Sequence, residues 1–345
     1  MSYEMERYQG ANDVFVIAEI GHNHQGSLDM ARAMFLAAKN AGADAVKLQK
    51  RNNRTLFTKA LYNQPYDNEN SYGATYGEHR EALEFKREEY VELQGYAKEL
   101  GLMFFATPFD FESVDFLAEL SMPAYKIASA DLNNIPLQKY IAKLGKPIFL
   151  STGGGTMADI RRACSAILEL NPLLTILHCT AAYPVDAQDM NLSVIPSLMA
   201  EFPKQVIGLS DHENGIDAAS IAYMLGARVF EKHFTLNRAF RGSDHSFSLE
   251  PEGLRKMIRN LNRIPVMLGD GKKWVLESEK KPLKKMSKSL VASRNLSPGH
   301  TLTEKDVAIK SPSGGLPPFE LERILGKSLR VALAEDDFIL LDSLE

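Results

Sequence analysis

The chain has 345 residues, of which 45% are hydrophobic and 24% charged, as expected for a globular protein with a sizeable core. The 40 Lys and Arg residues and 44 Asp and Glu residues give a formal net charge of -4, which argues against nucleic acid or an anionic membrane as the main partner. No apolar run approaches the ~18 residues that a membrane-spanning helix needs. The N-terminal MSYEMERYQG is polar, and Cys164 and Cys179 are the only cysteines. We therefore expect a cytoplasmic protein with no secretory leader, membrane span or disulfide framework.

Eight short apolar runs, each followed by a polar or glycine cluster, predict β-strands. They are Val14–Glu19, Ala45–Gln49, Met103–Ala106, Ala124–Ala128, Pro147–Ser151, Thr175–Cys179, Val206–Ser210 and Arg228–Glu231. Stretches with helical periodicity lie between most of them, including Met30–Ala41, Glu88–Leu100, Phe111–Leu120 and Met157–Leu170. This alternation and the count of eight favour an α/β fold of the (β/α)₈ TIM-barrel type. A doubly wound sheet is the alternative, because pattern alone does not reveal closure.

Two segments depart from the regular alternation. The polar, aromatic stretch Tyr62–Glu84 is too long for a crossover, and we interpret it as an ordered loop on the catalytic face or as a surface insertion. After Gly271 the sequence becomes Lys-rich, which is typical of a solvated linker over residues 272–288. Residues 289–345 then carry short strand-like runs and turn signals. The predicted organisation is a barrel at 1–271, a linker at 272–288 and a small, mostly β domain at 289–345.

Polar and ionisable side chains gather where the predicted strands end. They include Glu19, Lys47, Gln49, Thr107, Lys126, Ser129, Asp131, Ser151, Thr180, Tyr183, Ser210, Asp211, His212 and His233. Taken singly, each could have a structural role. In a parallel barrel, however, all these strand ends open on one face, the face on which active sites are built. The residues alone therefore predict a barrel enzyme that acts on small anionic metabolites with metal assistance.

Two residue pairs suggest specific chemistry. His212 and His233 follow neighbouring strands, where two imidazoles could bind a divalent ion that takes its other ligands from water or substrate. Two histidines are marginal for structural zinc, so an exchangeable ion such as Mn²⁺ fits better. Lys47 and Lys126 lie in apolar strands, where an unpaired ammonium group is costly. Each lysine therefore needs an internal carboxylate, an anionic ligand or a Schiff-base role.

Nine ordered motifs resemble one known family. They are AEIGHNHQGSL, GADAVKLQK, ATPFD, PAYKIASADLNN, LSTGGG, LHCTAAYP, IGLSDHENG, FEKHFT and RGSDHSFSLEP. Together they closely resemble the sialic acid synthase (N-acylneuraminate synthase) family, from about Phe15 to Glu345, and the C-terminal part is similar to that family's antifreeze-like domain. The resemblance implies condensation of phosphoenolpyruvate with an N-acylated hexosamine, giving a nine-carbon 2-keto acid and phosphate.

The resemblance also assigns roles to individual residues. It implies a phosphoenolpyruvate pocket of Lys47, Thr107, Lys126, Ser129, Ser151 and Ser210, in which the two lysines are also catalytic. His212 and His233 match metal ligands, with Mn²⁺ favoured and Mg²⁺ or Co²⁺ as alternatives. Glu19 and Asp131 match acidic positions suited to stabilising a cation or handling a proton. Gln49, Tyr183 and Asp244 match positions that contact the sugar.

Three positions depart from the family pattern. Asp131 stands where many bacterial relatives have Glu, and Ala181 replaces an Asn. Ser311 stands where bacterial relatives often carry an arginine that reaches the partner subunit's site. The resemblance still implies a homodimer in which the C-terminal domain reaches the other barrel.

The acceptor sugar remains open at this point. The loop PYDNENSYGATYGEHREALEF looks like that of animal-type enzymes, which use a 6-phosphorylated sugar. The resemblance therefore implies N-acetylmannosamine or its 6-phosphate as the acceptor. A legionaminic or pseudaminic acid synthase is the alternative within the family. More distant alternatives are a Schiff-base pyruvate aldolase or lyase and a non-enzymatic sugar- or ice-binding protein.

Overall fold

The computed structural model describes residues 14–345. The polar N-terminal stretch, residues 1–13, for which we expect no leader, lies outside the described residues. The chain forms two compact units, the first ending at Leu268 and the second spanning Gly269–Glu345. Each unit has its own apolar core. Within residues 14–345, no helix combines the length and hydropathy needed to cross a bilayer.

Eight parallel strands close into a barrel in the first unit. They are β1 Phe15–Gly21, β2 Ala45–Lys50, β3 Met103–Pro108, β4 Tyr125–Ile127, β5 Ile148–Ser151, β6 Leu174–Cys179, β7 Val206–Asp211 and β8 Val229–His233. The strands pair in chain order, and β1 pairs with β8 in parallel, which closes the sheet. This confirms the TIM-barrel prediction and excludes the open doubly wound sheet.

Helices surround the barrel and connect its strands. Their bounds are Leu28–Ala41, Asn53–Leu56, Lys59–Tyr62, Tyr76–Glu81, Arg87–Leu100, Phe111–Glu119, Ile135–Ala142, Met157–Leu168, Val194–Glu201, Asp217–Met224 and Pro251–Leu268. The first begins after Ser27, whose hydroxyl accepts a hydrogen bond from Met30 N, and it ends at Gly42 with a φ of +97°. The predicted excursion Tyr62–Glu84 contains the helix Tyr76–Glu81, and two further short helices lie between β2 and it.

The barrel interior is filled in layers, and this layering positions the polar side chains. Its lower layer is apolar, and within it the ring of Phe149 lies 6.0 Å from that of Phe15 and 5.2 Å from that of Phe105. Because side chains alternate along a strand, the residue two positions further on also points inward. The apolar layer therefore gives way to a polar one, in which Phe105 is followed by Thr107 and Phe149 by Ser151. The apolar layer therefore closes the barrel interior below the polar layer.

The second unit is built around a two-stranded antiparallel sheet of β9 (Ser289–Ala292) and β10 (Val307–Lys310). Its helices are Glu277–Met286 and Leu321–Ile324. The first lies in the charged segment that the sequence suggested as a linker, so this segment is helical over part of its length. Ser311 accepts a hydrogen bond from Lys288 Nζ at 2.6 Å and donates one to the carbonyl of Met286 at 3.1 Å. Ser311 therefore anchors its own loop within this unit.

Candidate active site at the C-terminal end of the barrel

A cavity of about 420 Å³ opens at the carboxyl ends of the strands. It contains twelve of the residues predicted for the site: Glu19, Lys47, Gln49, Thr107, Lys126, Ser129, Ser151, Tyr183, Ser210, His212, His233 and Asp244. Arg51, Arg80, Phe109, Glu231 and Ser243 also line it, although the sequence had not singled them out. The structure thus brings together side chains from all parts of the barrel sequence.

The cavity floor is a network of two lysines and two carboxylates, Lys47, Lys126, Glu19 and Glu231. Lys47 Nζ lies 2.5 Å from Glu19 Oε2 and donates to Thr107 Oγ1 at 2.9 Å. Lys126 Nζ donates to Ser151 Oγ at 2.6 Å and to the carbonyl of Ile127 at 3.1 Å. All four charged side chains are buried. Lys47 therefore has the close anionic partner that its apolar strand required, whereas Lys126 is held by two neutral acceptors.

Glu231 is the floor residue that sequence reasoning missed. One of its carboxylate oxygens lies 3.9 Å from Lys47 Nζ and the other 3.7 Å from Lys126 Nζ, and Ser210 Oγ donates to it at 3.3 Å. A signal was present, because Glu231 and His233 are two positions apart on β8 and must share a face. The same alternation identified Lys47 and Gln49 on β2.

The floor groups influence one another's ionisation. Burial raises the pKa of Glu231, but the ammonium groups of Lys126 and Lys47 outweigh it, so the net shift is downward. For Glu19 burial dominates over the attraction of Lys47, and the pKa is raised. Burial lowers the pKa of Lys126, opposed by Glu231. The floor thus holds one firmly ionised carboxylate and one that takes up a proton more readily, a pairing suited to proton transfer.

His212 and His233 stand together beside the floor, with ring centroids 5.4 Å apart. His212 Nδ1 lies 2.9 Å from the carbonyl of Thr180, so Nδ1 carries the proton and the Nε2 lone pair is available. His233 Nδ1 is buried without a hydrogen-bond partner and lies 3.8 Å from Asp244 Oδ2. Burial is the main cause that lowers the pKa of each imidazole to about 4. Both rings are therefore neutral at physiological pH, as metal coordination requires.

This histidine pair fits an exchangeable divalent ion. No group of three or more His, Cys, Asp or Glu side chains within residues 14–345 is arranged to hold a metal by itself. Two neutral imidazoles and a buried, unpartnered nitrogen on His233 leave an ion dependent on water or substrate for its other ligands. An ion that binds here together with substrate stays a prediction.

The cavity mouth carries two arginines on either side of His22. Arg51 Nη1 lies 3.0 Å from His22 Nε2, and Arg80 Nη1 lies 3.2 Å from His22 Nδ1. Arg51 also donates to Gln49 Oε1 at 2.6 Å, and Gln49 Nε2 donates to Glu19 Oε1 at 2.8 Å. A continuous polar chain therefore runs from the mouth to the floor. Arg51 could have been found by extending the alternation of β2, whereas no local pattern marks Arg80 in the long loop.

Asp131 is the one residue given a role by the family resemblance that does not line the cavity, and the strand-end residues Thr180 and Asp211 do not line it either. It lies in the short 3₁₀ turn Ser129–Asp131 after β4 and accepts a hydrogen bond from Asn134 Nδ2 at 2.9 Å. Ser129 of the same turn does line the cavity, and its hydroxyl accepts a hydrogen bond from Gly153 N at 3.0 Å. A direct catalytic role for Asp131 stays a prediction.

A closed (β/α)₈ barrel, with buried lysines, carboxylates and two neutral histidines at its C-terminal face, defines a barrel enzyme built for small anionic metabolites. Comparison with known proteins gives its family. A model of the NeuB family matches residues 34–273, and a model of the SAF domain matches residues 287–345. The chain belongs to the NeuB family of synthases and carries a C-terminal SAF domain.

Individual relatives support this assignment over nearly the whole chain. The chain is 40% identical to the N-acetylneuraminate-9-phosphate synthase of Mus musculus, over 97% of this chain and 94% of that protein. It is 36% identical to the N,N'-diacetyllegionaminic acid synthase of Campylobacter jejuni, over 94% of this chain and 98% of that protein. The crystal structure of an N-acetylneuraminic acid synthetase from Leptospira borgpetersenii, in complex with citrate, superposes with a TM-score of 0.68 at 33% identity. That superposition covers 79% of this chain and 91% of the other.

Proposed function

We propose that the protein condenses phosphoenolpyruvate with N-acetylmannosamine or its 6-phosphate, giving N-acetylneuraminate or its 9-phosphate and inorganic phosphate. The observation that carries this proposal is the cavity floor. Two buried lysines stand there beside hydroxyl groups, in a barrel of the NeuB family. Phosphoenolpyruvate has a carboxylate and a phosphate close together, and such a ligand needs two cations within one small pocket.

Phosphoenolpyruvate binds at the floor in this proposal. Lys47 and Lys126 neutralise its charge, and the hydroxyls of Thr107 and Ser151, which already accept hydrogen bonds from these lysines, can donate to its oxygens. Ser129 and Ser210 add further donors at the cavity wall. All of these side chains except that of Ser129 are buried, and low exposure to water strengthens their contacts.

The acceptor lies above the floor, with its aldehyde facing the two histidines. His212 and His233 would hold a divalent ion, Mn²⁺ being favoured over Mg²⁺ or Co²⁺, and when bound the ion supplies Lewis acidity toward the aldehyde oxygen. Gln49, Tyr183 and Asp244 orient the sugar.

The bond changes are balanced in three steps. C3 of phosphoenolpyruvate forms a bond to the aldehyde carbon, whose oxygen takes up a proton to become a hydroxyl, and a cationic centre is left at C2. Water adds to C2 and loses one proton. The C2–O bond to phosphate then breaks as the remaining C2 hydroxyl loses its proton, which gives the 2-keto group and protonated phosphate. Glu231, held ionised by its two lysine neighbours, stabilises the cationic centre, and Glu19, whose pKa burial raises, takes the proton of the water.

A phosphate-release assay tests the proposal. Purified protein is incubated with phosphoenolpyruvate, Mn²⁺ and a panel of N-acyl hexosamines and their 6-phosphates, and products are identified by mass. We expect acceptor-dependent phosphate release and a nine-carbon 2-keto acid. Absence of phosphate release with every acceptor contradicts the proposal. Borohydride reduction with pyruvate separates it from the aldolase alternative, since a covalent adduct at Lys47 or Lys126 favours the Schiff-base reading.

A legionaminic or pseudaminic acid synthase is the second candidate, and the similarity to the Campylobacter jejuni relative supports it. The same assay decides between the two when the diacetamido-trideoxyhexoses that such enzymes condense are added to the panel. Preference for one of these sugars over N-acetylmannosamine and its 6-phosphate would replace the first candidate.

A further inference from the structure

We propose that Arg51 and Arg80 bind a phosphate group carried by the acceptor sugar, at the end remote from the reacting aldehyde. This assignment rests on the condensation proposed above and deepens it, because it decides between a phosphorylated and a plain acceptor. The two guanidinium groups belong to one cavity but to different parts of the chain, one directly after β2 and the other in the helix Tyr76–Glu81.

The contacts around His22 point to a missing acceptor. Burial, together with the charges of Arg51 and Arg80, lowers the pKa of His22 well below its ordinary value, so the ring is neutral. A neutral imidazole has one N–H group and one lone pair. Yet a guanidinium nitrogen faces each of the two ring nitrogens, at 3.0 and 3.2 Å. One of these two donors therefore meets an N–H group, and it needs an oxygen from elsewhere.

No protein carboxylate fills that need. Within residues 14–345, neither guanidinium has a carboxylate oxygen within 4.0 Å. Glu84, which lies 3.6 Å from His22, instead accepts hydrogen bonds from Lys50 Nζ at 3.0 Å and from the backbone N of Arg51 at 3.2 Å. Arg161, on the surface of the same unit, instead pairs with Glu201 at 2.8 Å. Arg51 and Arg80 are therefore two guanidinium groups that lack a carboxylate partner among the described residues.

Both guanidinium groups are held in place for a ligand. Arg51 stacks on the ring of Phe109 at 3.8 Å, and its other nitrogen is fixed by Gln49. Arg80 lies over the ring of Tyr76 at 5.1 Å, and its Nε donates to the hydroxyl of Tyr76 at 3.1 Å. Planar guanidinium groups fixed in this way match the oxygens of a phosphate by paired hydrogen bonds. Little side-chain freedom is lost when an anion binds.

The position of the pair separates it from the phosphoenolpyruvate site. Lys47, Gln49 and Arg51 follow one another at every second position, so they lie along one line from floor to mouth. At a rise of ~3.3 Å per residue, Arg51 stands ~13 Å beyond Lys47 along the strand direction. A six-carbon acceptor whose aldehyde lies above bound phosphoenolpyruvate carries its terminal phosphate toward the mouth end of this line. The phosphate of phosphoenolpyruvate stays at Lys47 and Lys126.

Steady-state kinetics with two acceptors tests the inference. We compare kcat/KM for N-acetylmannosamine 6-phosphate and N-acetylmannosamine in the wild type and in Arg51→Met and Arg80→Met. The wild type should prefer the phosphorylated sugar at least tenfold, and each variant should lose ~10- to 100-fold of that preference, as expected for a lost charge-assisted hydrogen bond. Arg80→Lys should retain part of the preference for the phosphorylated sugar, because lysine keeps the positive charge but lacks the paired N–H groups of a guanidinium. Arg161→Met is the matched control and should keep the wild-type preference.

Binding measurements keep the outcome independent of turnover. Calorimetry with the two sugars should show the same loss of phosphate selectivity in the Arg51 and Arg80 variants, and circular dichroism checks that each variant is folded. Equal use and equal binding of both sugars by the wild type overturns the inference while leaving the condensation intact. A rise in KM for phosphoenolpyruvate, with unchanged acceptor selectivity, also overturns it and assigns the arginines to the other phosphate. No condensation with any acceptor contradicts the proposed function instead, and calorimetry still decides whether the arginines bind the sugar phosphate.

Discussion

The cavity floor of the first unit and Asp306 of the second unit are both buried and charged, but their surroundings differ. Asp306 accepts hydrogen bonds from Thr303 N at 2.9 Å, Thr303 Oγ1 at 2.6 Å, Arg294 at 2.6 Å and His300 at 3.0 Å. The hydrogen bonds from Thr303 and His300 hold its pKa well below the usual range. Glu231 has one buried oxygen without a hydrogen-bond partner, and its lysines lie at 3.7 and 3.9 Å.

The difference separates a charge that stabilises structure from one kept for a ligand. A buried carboxylate with all its acceptor positions used offsets its desolvation cost and fixes the local fold. A buried carboxylate between two distant ammonium groups offsets that cost only in part. The remaining attraction of the lysines is available to an incoming anion. The incomplete pairing of Glu231 is therefore consistent with a role in ligand binding at the floor.

The largest expected effect concerns the histidine pair. Exhaustive chelation should abolish condensation, and added Mn²⁺, Co²⁺ or Mg²⁺ should restore it, because the aldehyde then regains its Lewis acid. The double variant His212→Ala/His233→Ala should be inactive and should no longer bind Mn²⁺ in equilibrium dialysis. Full activity after chelation, or in the double variant, contradicts the metal assignment.

Replacing the floor lysines should have the second-largest effect on activity. Lys47→Met and Lys126→Met should each raise KM for phosphoenolpyruvate and lower kcat, with a loss of about 2–4 kcal/mol in kcat/KM. Lys139→Met, which removes a surface ion pair with Glu169 at 3.1 Å, is the matched control and should have little effect. If both floor variants keep the wild-type KM for phosphoenolpyruvate, the floor is structural and the contrast with Asp306 fails.

The expected homodimer concerns the function of the second unit. Truncation after Gly271 should leave a folded barrel with sharply reduced activity, since a lid from the partner subunit would be missing. Mixing a His212→Ala subunit with a truncated one should restore part of the activity, because one site of the heterodimer then has an intact barrel and a lid. A monomer by light scattering, or full activity in the truncated barrel, refutes this expectation.

The smallest expected effect is on local stability of the second unit. Asp306→Asn should reduce hydrogen-exchange protection of β9 and β10 by about 1–3 kcal/mol, because donors now face a neutral amide. Since folding lowers the pKa of Asp306, its contribution is present above the unfolded pKa of about 4 and is lost as the pH falls through the folded value. Asp336→Asn, at an exposed ion pair with Lys310, is the control and should change little. Unchanged hydrogen-exchange protection in Asp306→Asn would show that Asp306 does not stabilise the second unit, and the comparison with Glu231 would fail.

How far the sequence predicts this molecule depends on the range of the interactions involved. Strand alternation acts over two residues, so Lys47, Gln49 and the barrel itself were predictable from pattern, and Glu231 was within reach of the same rule. The meeting of Arg80 with Arg51 at His22 depends on how a long loop folds back over the barrel, which no local periodicity encodes. The helix Glu277–Met286 was not predicted, because it is rich in charged residues and none of its residues is buried.

The aromatic layer beneath the cavity has a kinetic consequence. Phe15, Phe105 and Phe149 fill the barrel interior, so small molecules reach the floor only through the mouth. An acceptor already seated above the floor blocks the way to it, and phosphoenolpyruvate must therefore arrive first. A non-reacting acceptor analogue should then inhibit competitively toward the acceptor. Because it also blocks the floor of the free enzyme, its inhibition toward phosphoenolpyruvate should be mixed. Steric access alone is sufficient to impose a compulsory sequence of substrate addition, with no conformational gate.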